Sequence, residues 1–391
     1  MNMNIPFNKP TLVGNEIEYI IETVNKGHIS GDGSFTKKCH KFLEQKFDVN
    51  KVLLTTSCTH ALELASILVD IQPGDEIILS SFTFVSTANS FILRGGKPIF
   101  VDIRKDTLNI DENLIEQKIT PRTKAIYPVH YAGVACDMDR IKEIAKKYGL
   151  FIVEDAAQGV NAKYKNDYLG TIGDIGTYSF HETKNYYCGE GGAILLNNSS
   201  FIERAEIIRE KGTDRSKFFR GEVDKYTWVD IGSSYLPSDL LAAFLYAQFE
   251  QIEEVYLKRK AIYEYYYSGL KVYQEAGLLQ LPVIPGDCHS NYHMFHLILP
   301  HEIIRNYVMD YLKSHDILAV FHYIPLHSSP MGQKYGYKSG DFPITEDLSS
   351  RLLRLPMYSN ISMEELEYII ATVGKALNSF TKRNNATLAS N

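Results

Sequence analysis

Between Lys51 and Asn198 the chain alternates short apolar runs with segments whose apolar residues recur every three to four positions. KVLLTT, DEIILSS, KPIFVDI, TKAIYPVH, LFIVEDA, GTYSF and AILLN read as strands, whereas HALELASILVDI and MDRIKEIAKKYG carry helical periodicity. Continuous apolar strands separated by helices predict a mainly parallel sheet covered on both faces, hence an α/β domain. One long helical stretch follows, from an N-cap at Ser238 through LLAAFLYAQFEQIEEVYLKRKAIYEYYYSGL. Beyond QLPVIPGD the pattern changes to a strand (YHMFHLIL), a helix (HEIIRNYVMDYLKSH), a strand (LAVFHYIP) and a closing helix (MEELEYIIATVGKAL). That order predicts a smaller C-terminal α+β domain. A chain of 391 residues is long for one core, so we expect a large α/β domain over residues 1–255 and a small one over 256–391.

Composition narrows the function more than the fold. A net charge of -6 gives no electrostatic case for nucleic acid as a partner. None of the five cysteines forms a CxxC pair, so neither a zinc ribbon nor a dithiol motif is indicated. MNMNIPFNKP lacks the pattern of a signal peptide, and no apolar run is long enough to span a bilayer. These features predict a cytoplasmic protein with no membrane partner.

Open parallel sheets bind ligands beyond the carboxyl ends of their strands, so the residues there carry the chemistry. After KVLL comes TTSCTH, a hydroxyl-rich turn opening a helix. It reads either as an N-cap by Ser57 or Thr59 or as a phosphate seat. After LFIV come Glu154 and Asp155, followed by the small-residue turn AAQG. After GTYSF comes SFHETKNYYCGEGG, with Lys184 between a strand and a glycine cluster. Alone, each residue has a bland reading: a cap, a solvated acid, an exposed lysine. Together they form the trio that pyridoxal 5'-phosphate (PLP) needs. A lysine amine joins its aldehyde, a carboxylate keeps its ring nitrogen protonated, and a helix start takes its phosphate.

EDAAQG, SFHETKN with GEGG, and PVHYAG lie in a chain that, from Ile5 to at least His327, resembles the DegT/StrS-type sugar-nucleotide aminotransferases. These have the aspartate-aminotransferase fold (fold type I). The resemblance implies that Lys184 is the cofactor-binding lysine and proton shuttle, that Asp155 pairs with the pyridinium, and that Gln158 lies near the ring's phenolic oxygen. It implies that Phe84 stacks on the ring, and that Thr59 and His60 (through backbone N–H) and Ser179 (through its hydroxyl) hold the phosphate. His322 and Tyr323 are implied in the sugar pocket, where core packing is the competing reading. Many members have glycine where Cys58 stands. Many also have an asparagine that reaches the neighbouring subunit's phosphate, for which Ser233 or Ser234 is the nearest equivalent here.

SCTHALE, FTFVSTAN, REKGTDRS and FFRGEVDKYTW look most like the dTDP-4-keto-6-deoxyglucose C4-aminotransferases. The implied reaction moves an amino group from L-glutamate to C4 of that nucleotide-linked keto sugar. Its product is a dTDP-4-amino-4,6-dideoxyhexose for lipopolysaccharide or another cell-surface polysaccharide, and the implied enzyme is a homodimer with its sites at the subunit interface. Alternatives are a C3-aminotransferase, a PLP-dependent dehydratase, which would carry histidine at position 184, and a non-catalytic PLP-fold regulator. The polar stretch Lys211–Trp228 reads as a solvated loop or as a lid over the partner's nucleotide sugar. In the second reading Arg215 and Arg220 face the diphosphate, and Phe218, Phe219, Tyr226 or Trp228 wall the sugar or base. His293-x-x-His296 on a strand sends its two rings to opposite faces, so no metal site is expected.

Overall fold

The structure is a computed structural model that describes residues 4–389. In chain order the strands begin with β1 (Lys51–Thr55), β2 (Glu76–Ser80), β3 (Lys97–Val101), β4 (Thr123–Ile126) and β5 (Phe151–Asp155). A hairpin of two-residue strands, β6 (Lys163–Tyr164) and β7 (Asp167–Tyr168), precedes β8 (Ile175–Ser179) and β9 (Gly192–Leu196). Then come β10 (Cys288–His289), β11 (Phe295–Ile298) and β12 (Leu352–Leu355). The main sheet has the order β1-β9-β8-β5-β4-β2-β3. Its strands are parallel except β9, which runs against both β1 and β8. The reversal has a local cause. A parallel return needs a crossover of a dozen or more residues, usually a helix, and the link from Ser179 to Gly192 contains none.

Both faces of the sheet are buried, as its near-continuous apolar strands require. One cluster joins Val52, Leu54, Ile126 and Ile152 to the helix Ser34–Phe47 through Phe35, Leu43 and Phe47. The other joins Leu53, Ile77, Leu79 and Val153 to the helix Cys58–Leu68 through Ala61, Leu64 and Leu68. A third cluster gathers β11, β12 and the helices Ile252–Glu275, Glu302–Lys313 and Met363–Ala389. The boundary expected at residues 255 and 256 falls inside the first of these helices. Ile5, from the N-terminal end, belongs to this third cluster and bridges Ile317.

Three expectations need correction. The helical stretch after Ser238 is two helices, Asp239–Glu250 and Ile252–Glu275, broken at Gln251, and Ser238 makes no side-chain cap bond. LAVFHYIP is not a strand: its β-pairing is the isolated bridge Val320–Arg354. The strand paired with β11 is instead β12, from RLLRLP.

Candidate active site

The carboxyl ends of β1, β2, β5 and β8 open on one cavity of about 640 Å³, within the range that holds a cofactor with a small substrate. Lys184 lies on the link from β8 to β9, which is a wide hairpin. Phe180 N–H donates to Gly191 O at 2.8 Å and Glu182 N–H to Gly189 O at 2.9 Å. The next residue anchors the link: Asn185 Nδ2 donates to Asn291 O at 2.9 Å, and its Oδ1 meets His293 Nδ1 at 2.9 Å. Gly192 then passes so close to the helix-opening turn that a Cβ would lie 2.4 Å from Cys58 N. This glycine is there for the approach of two backbones.

Lys184 is half-buried on the cavity wall, and no hydrogen bond or ion pair from its amine to another described residue is present. Burial holds its pKa below the usual lysine value, opposed by Cys58 and Asp155 and reinforced by Arg354. Burial pushes the Cys58 thiol well up, so it stays a neutral wall group.

Three acidic residues at strand ends have three fates. Glu154 is fully buried away from the cavity and accepts from the N–H groups of Gly170, Ile172 and Gly173 at 2.8, 2.7 and 2.6 Å. It also meets His130 Nε2 at 2.9 Å. Asp102, just past β3, accepts from Ile344 N–H at 3.1 Å and from Thr345 N–H and Oγ1 at 2.8 and 2.6 Å. It caps the helix Pro343–Arg351. Asp155, one residue from Glu154 and so on the opposite face, accepts among the described residues only from Thr87 Oγ1 at 2.6 Å and Ala157 N–H at 3.1 Å. Its remaining acceptor capacity faces the cavity.

Ser179, at the end of β8, and Thr59, in the first turn of the helix Cys58–Leu68, line the same cavity. His60 does not. Its N–H donates to Ser57 Oγ at 3.1 Å, and its ring meets Thr56 and Tyr235. The cap reading and the phosphate reading of TTSCTH therefore divide between neighbours. Ser57 caps His60, while the N–H groups of Cys58 and Thr59 are left without an acceptor among the described residues.

On the other wall, Gln158 is held by both ends: its Oε1 accepts from Ala132 N–H at 2.7 Å and its Nε2 donates to Tyr323 Oη at 3.1 Å. His322 Nδ1 meets Tyr131 Oη at 3.0 Å, and burial pulls its pKa well below the usual imidazole value. Phe84 is 57% exposed, its ring 6.3 Å from that of Tyr323. It lines the open cavity, where an aromatic ring can stack on a planar ligand. His293 lines the cavity, whereas His296 lies in β11 beside Tyr131.

The arm from Lys211 to Trp228 stays outside this cavity. Arg215 pairs with Glu210 at 3.0 Å, and Arg220 pairs with Glu206 and Glu222 at 2.8 and 2.7 Å. Phe219 is 71% exposed and Trp228 76%. Ser233 and Ser234 are exposed beside the arm's base, where Ser234 bridges Glu210.

An amine unpaired among the described residues and biased by burial toward its neutral form, a buried carboxylate with spare acceptors, free N–H groups at a helix start and an exposed aromatic ring on the cavity wall fit PLP. Fold and site define a PLP-dependent aminotransferase. Residues 10–374 match the family described as DegT/DnrJ/EryC1/StrS aminotransferases, and the chain belongs to that family. It is 34% identical over 377 residues to GDP-perosamine synthase of Escherichia coli O157:H7, covering 95% of this chain and 98% of the other. It is also 34% identical to a pleiotropic regulatory protein of Geobacillus stearothermophilus, over 81% of this chain and 82% of that one. The apo form of a putative sugar aminotransferase, Spr1654 of Streptococcus pneumoniae, superposes with a TM-score of 0.90 at 26% identity, covering 98% and 100% of the two chains. That protein has also been solved in its PMP and PLP forms. The present protein is thus a PLP-dependent sugar aminotransferase. No helix among its described residues is long and apolar enough to cross a membrane.

Arg354 was missed. It lines the cavity from β12 with its Nε buried and without a hydrogen-bond partner among the described residues. An arginine inside RLLRLP looks like a surface residue on a short strand. Only the fold turns it inward.

Proposed function

We propose that the cavity transfers the amino group of L-glutamate to C4 of dTDP-4-keto-6-deoxy-D-glucose. The product would be a dTDP-4-amino-4,6-dideoxyhexose for cell-surface polysaccharide. The observation that carries the reading is that Lys184 and Asp155, from the β8 and β5 ends of one sheet, face one cavity with charges that find no saturating partner among the described residues.

Bound PLP supplies an electron sink that lets a proton leave the amine-bearing carbon. Asp155, held by Thr87 and Ala157, would keep the pyridine nitrogen protonated. The N–H groups of Cys58 and Thr59 and the hydroxyl of Ser179 would hold the phosphate, the cap having taken the His60 N–H. Phe84 would cover one face of the ring, and Gln158, fixed by Ala132 and Tyr323, would orient its polar edge. Lys184, biased toward its neutral form, would anchor the aldehyde and, when released, carry the proton at its Nζ. His322 and Tyr323 would bound the sugar.

We further propose that the protein works as a homodimer in which each arm covers the partner's cavity. Support comes from the arm's exposed rings at Phe219 and Trp228, which its own chain leaves uncovered. Arg215 and Arg220 would exchange their glutamate partners for the diphosphate. The test is product identification by NMR after incubating the protein with dTDP-4-keto-6-deoxyglucose, PLP and L-glutamate. A new amine at C4 supports the reading. An amine at C3, loss of water without transfer, or unchanged sugar overturns it.

A further inference from the structure

The link that carries Lys184 is fixed from outside its own hairpin, because each of its next three residues reaches a distant segment. Tyr187 Oη meets the backbone of Thr11. Tyr186 Oη donates to Ile252 O at 3.1 Å, at the start of the helix Ile252–Glu275. Asn185 meets Asn291 and His293, more than a hundred residues further on. It is the one of the three bonded to Lys184 in the chain, and it is buried behind the cavity wall.

The stretch that receives Asn185 is itself forced into shape. Tyr292 has a φ of 53°, in the left-handed region that a bulky side chain disfavours. Such strain persists only where the surroundings over-determine it, and it gathers at active sites. Arg259, buried in the helix Ile252–Glu275, supplies the hold: its Nε donates to Tyr292 O at 3.0 Å and its Nη2 to His293 O. Asn291 Nδ2 donates to Gln158 O at 2.9 Å and Val160 O at 2.8 Å, which ties the same stretch to the turn after Asp155. The Asn185 side chain fits this frame in one sense only. Asn291 O can only accept, so it takes the Asn185 Nδ2, and Asn185 Oδ1 faces His293. His293 Nδ1 therefore carries the hydrogen. Burial, with the charges of Lys184, Arg259 and Arg354 added, pulls this imidazole well below its usual pKa, so the ring is neutral. Turning the amide over would set its oxygen against the carbonyl of Asn291. We propose that Asn185 and His293 are positioning residues for Lys184, a clamp that fixes the lysine's backbone so that its amine meets the cofactor aldehyde. This rests on Lys184 being the cofactor lysine.

Two forms of the cofactor separate positioning from packing. The lysine amine condenses with the aldehyde of PLP, forming a C=N bond and releasing water. Pyridoxamine phosphate already carries an amine and makes no such bond. Dissociation constants of both are measured on the apoprotein by equilibrium dialysis. Asn185→Ala should weaken PLP binding by roughly tenfold and leave pyridoxamine phosphate within about twofold of wild type, the scale of a lost buried hydrogen bond felt by one form alone. In a Lys184→Ala background the same substitution should alter neither. Equal weakening of both forms, no weakening of PLP, or an effect that persists without Lys184 overturns the proposal. If the Asn185→Ala protein is unfolded by circular dichroism, His293 decides. His293→Asn keeps a side-chain N–H near the Nδ1 position, and His293→Phe removes it. PLP binding near wild type in the first and selectively weakened in the second supports the proposal, and any other pattern overturns it. Failure of the lysine assignment looks different: borohydride would then label another lysine in the wild-type protein.

Discussion

The carboxyl edge of the main sheet and the arm from Lys211 to Trp228 both bring charges and aromatic rings together, and they treat them in opposite ways. At the sheet edge Lys184 and Asp155 point into a cavity with capacity left unused. In the arm Arg215, Lys217 and Arg220 are each paired with a glutamate of the same chain, while Phe219 and Trp228 are left in the open. The edge leaves an amine and a carboxylate open to a small molecule. The arm is satisfied electrostatically and unsatisfied hydrophobically, which is what a surface bound for another protein surface looks like. Buried acids repeat the contrast on a smaller scale: Asp102 is saturated by the helix it caps, whereas Asp155 is not.

If that distinction is right, substitutions at the edge and in the arm differ in kind as well as size. Lys184→Ala should lower turnover by several orders of magnitude, measured as steady-state amine transfer, while the protein still binds pyridoxamine phosphate in a fluorescence titration. Asp155→Asn removes one member of a buried charge pair in the loaded enzyme. Such a loss costs about 3–5 kcal/mol, so turnover should fall on the order of a hundredfold or more. Near-wild-type turnover would move Asp155 into the same class as Asp102. Arg220→Ala should slow only the sugar half-reaction, by about tenfold, the size of one lost phosphate contact. Equal slowing of both halves, or full activity as a monomer in sedimentation, would remove the arm from the site. Asp102→Ala should leave turnover near wild type and lower unfolding stability by about 1–3 kcal/mol in urea denaturation, because it strands the Thr345 hydroxyl and two helix N–H groups.

The edge was readable because its positions follow from strand and helix alternation: whatever follows an apolar run in a parallel sheet emerges at the ligand-binding side. Lys184, the neighbours Glu154 and Asp155, and the helix start in TTSCTH came from that rule before any resemblance was invoked, whereas Ser179 came only with the resemblance. The rule could not say which N–H the Ser57 hydroxyl would take, and His60 went to the cap. It also could not see where separate segments converge. Arg354 enters the cavity because β12 pairs with β11 and bridges Val320, contacts between residues far apart in the chain. LAVFHYIP has a strand's composition, but only one of its residues finds a bridge partner. The break at Gln251 has no glycine or proline to mark it.

The central claim is that Lys184 is the residue the cofactor engages. Borohydride reduction of the PLP-loaded protein, followed by peptide mass mapping, tests it directly. The account predicts a single pyridoxyl label on the peptide containing SFHETKNYY, at Lys184. A label on any other lysine, or none on a protein that retains activity, would contradict it.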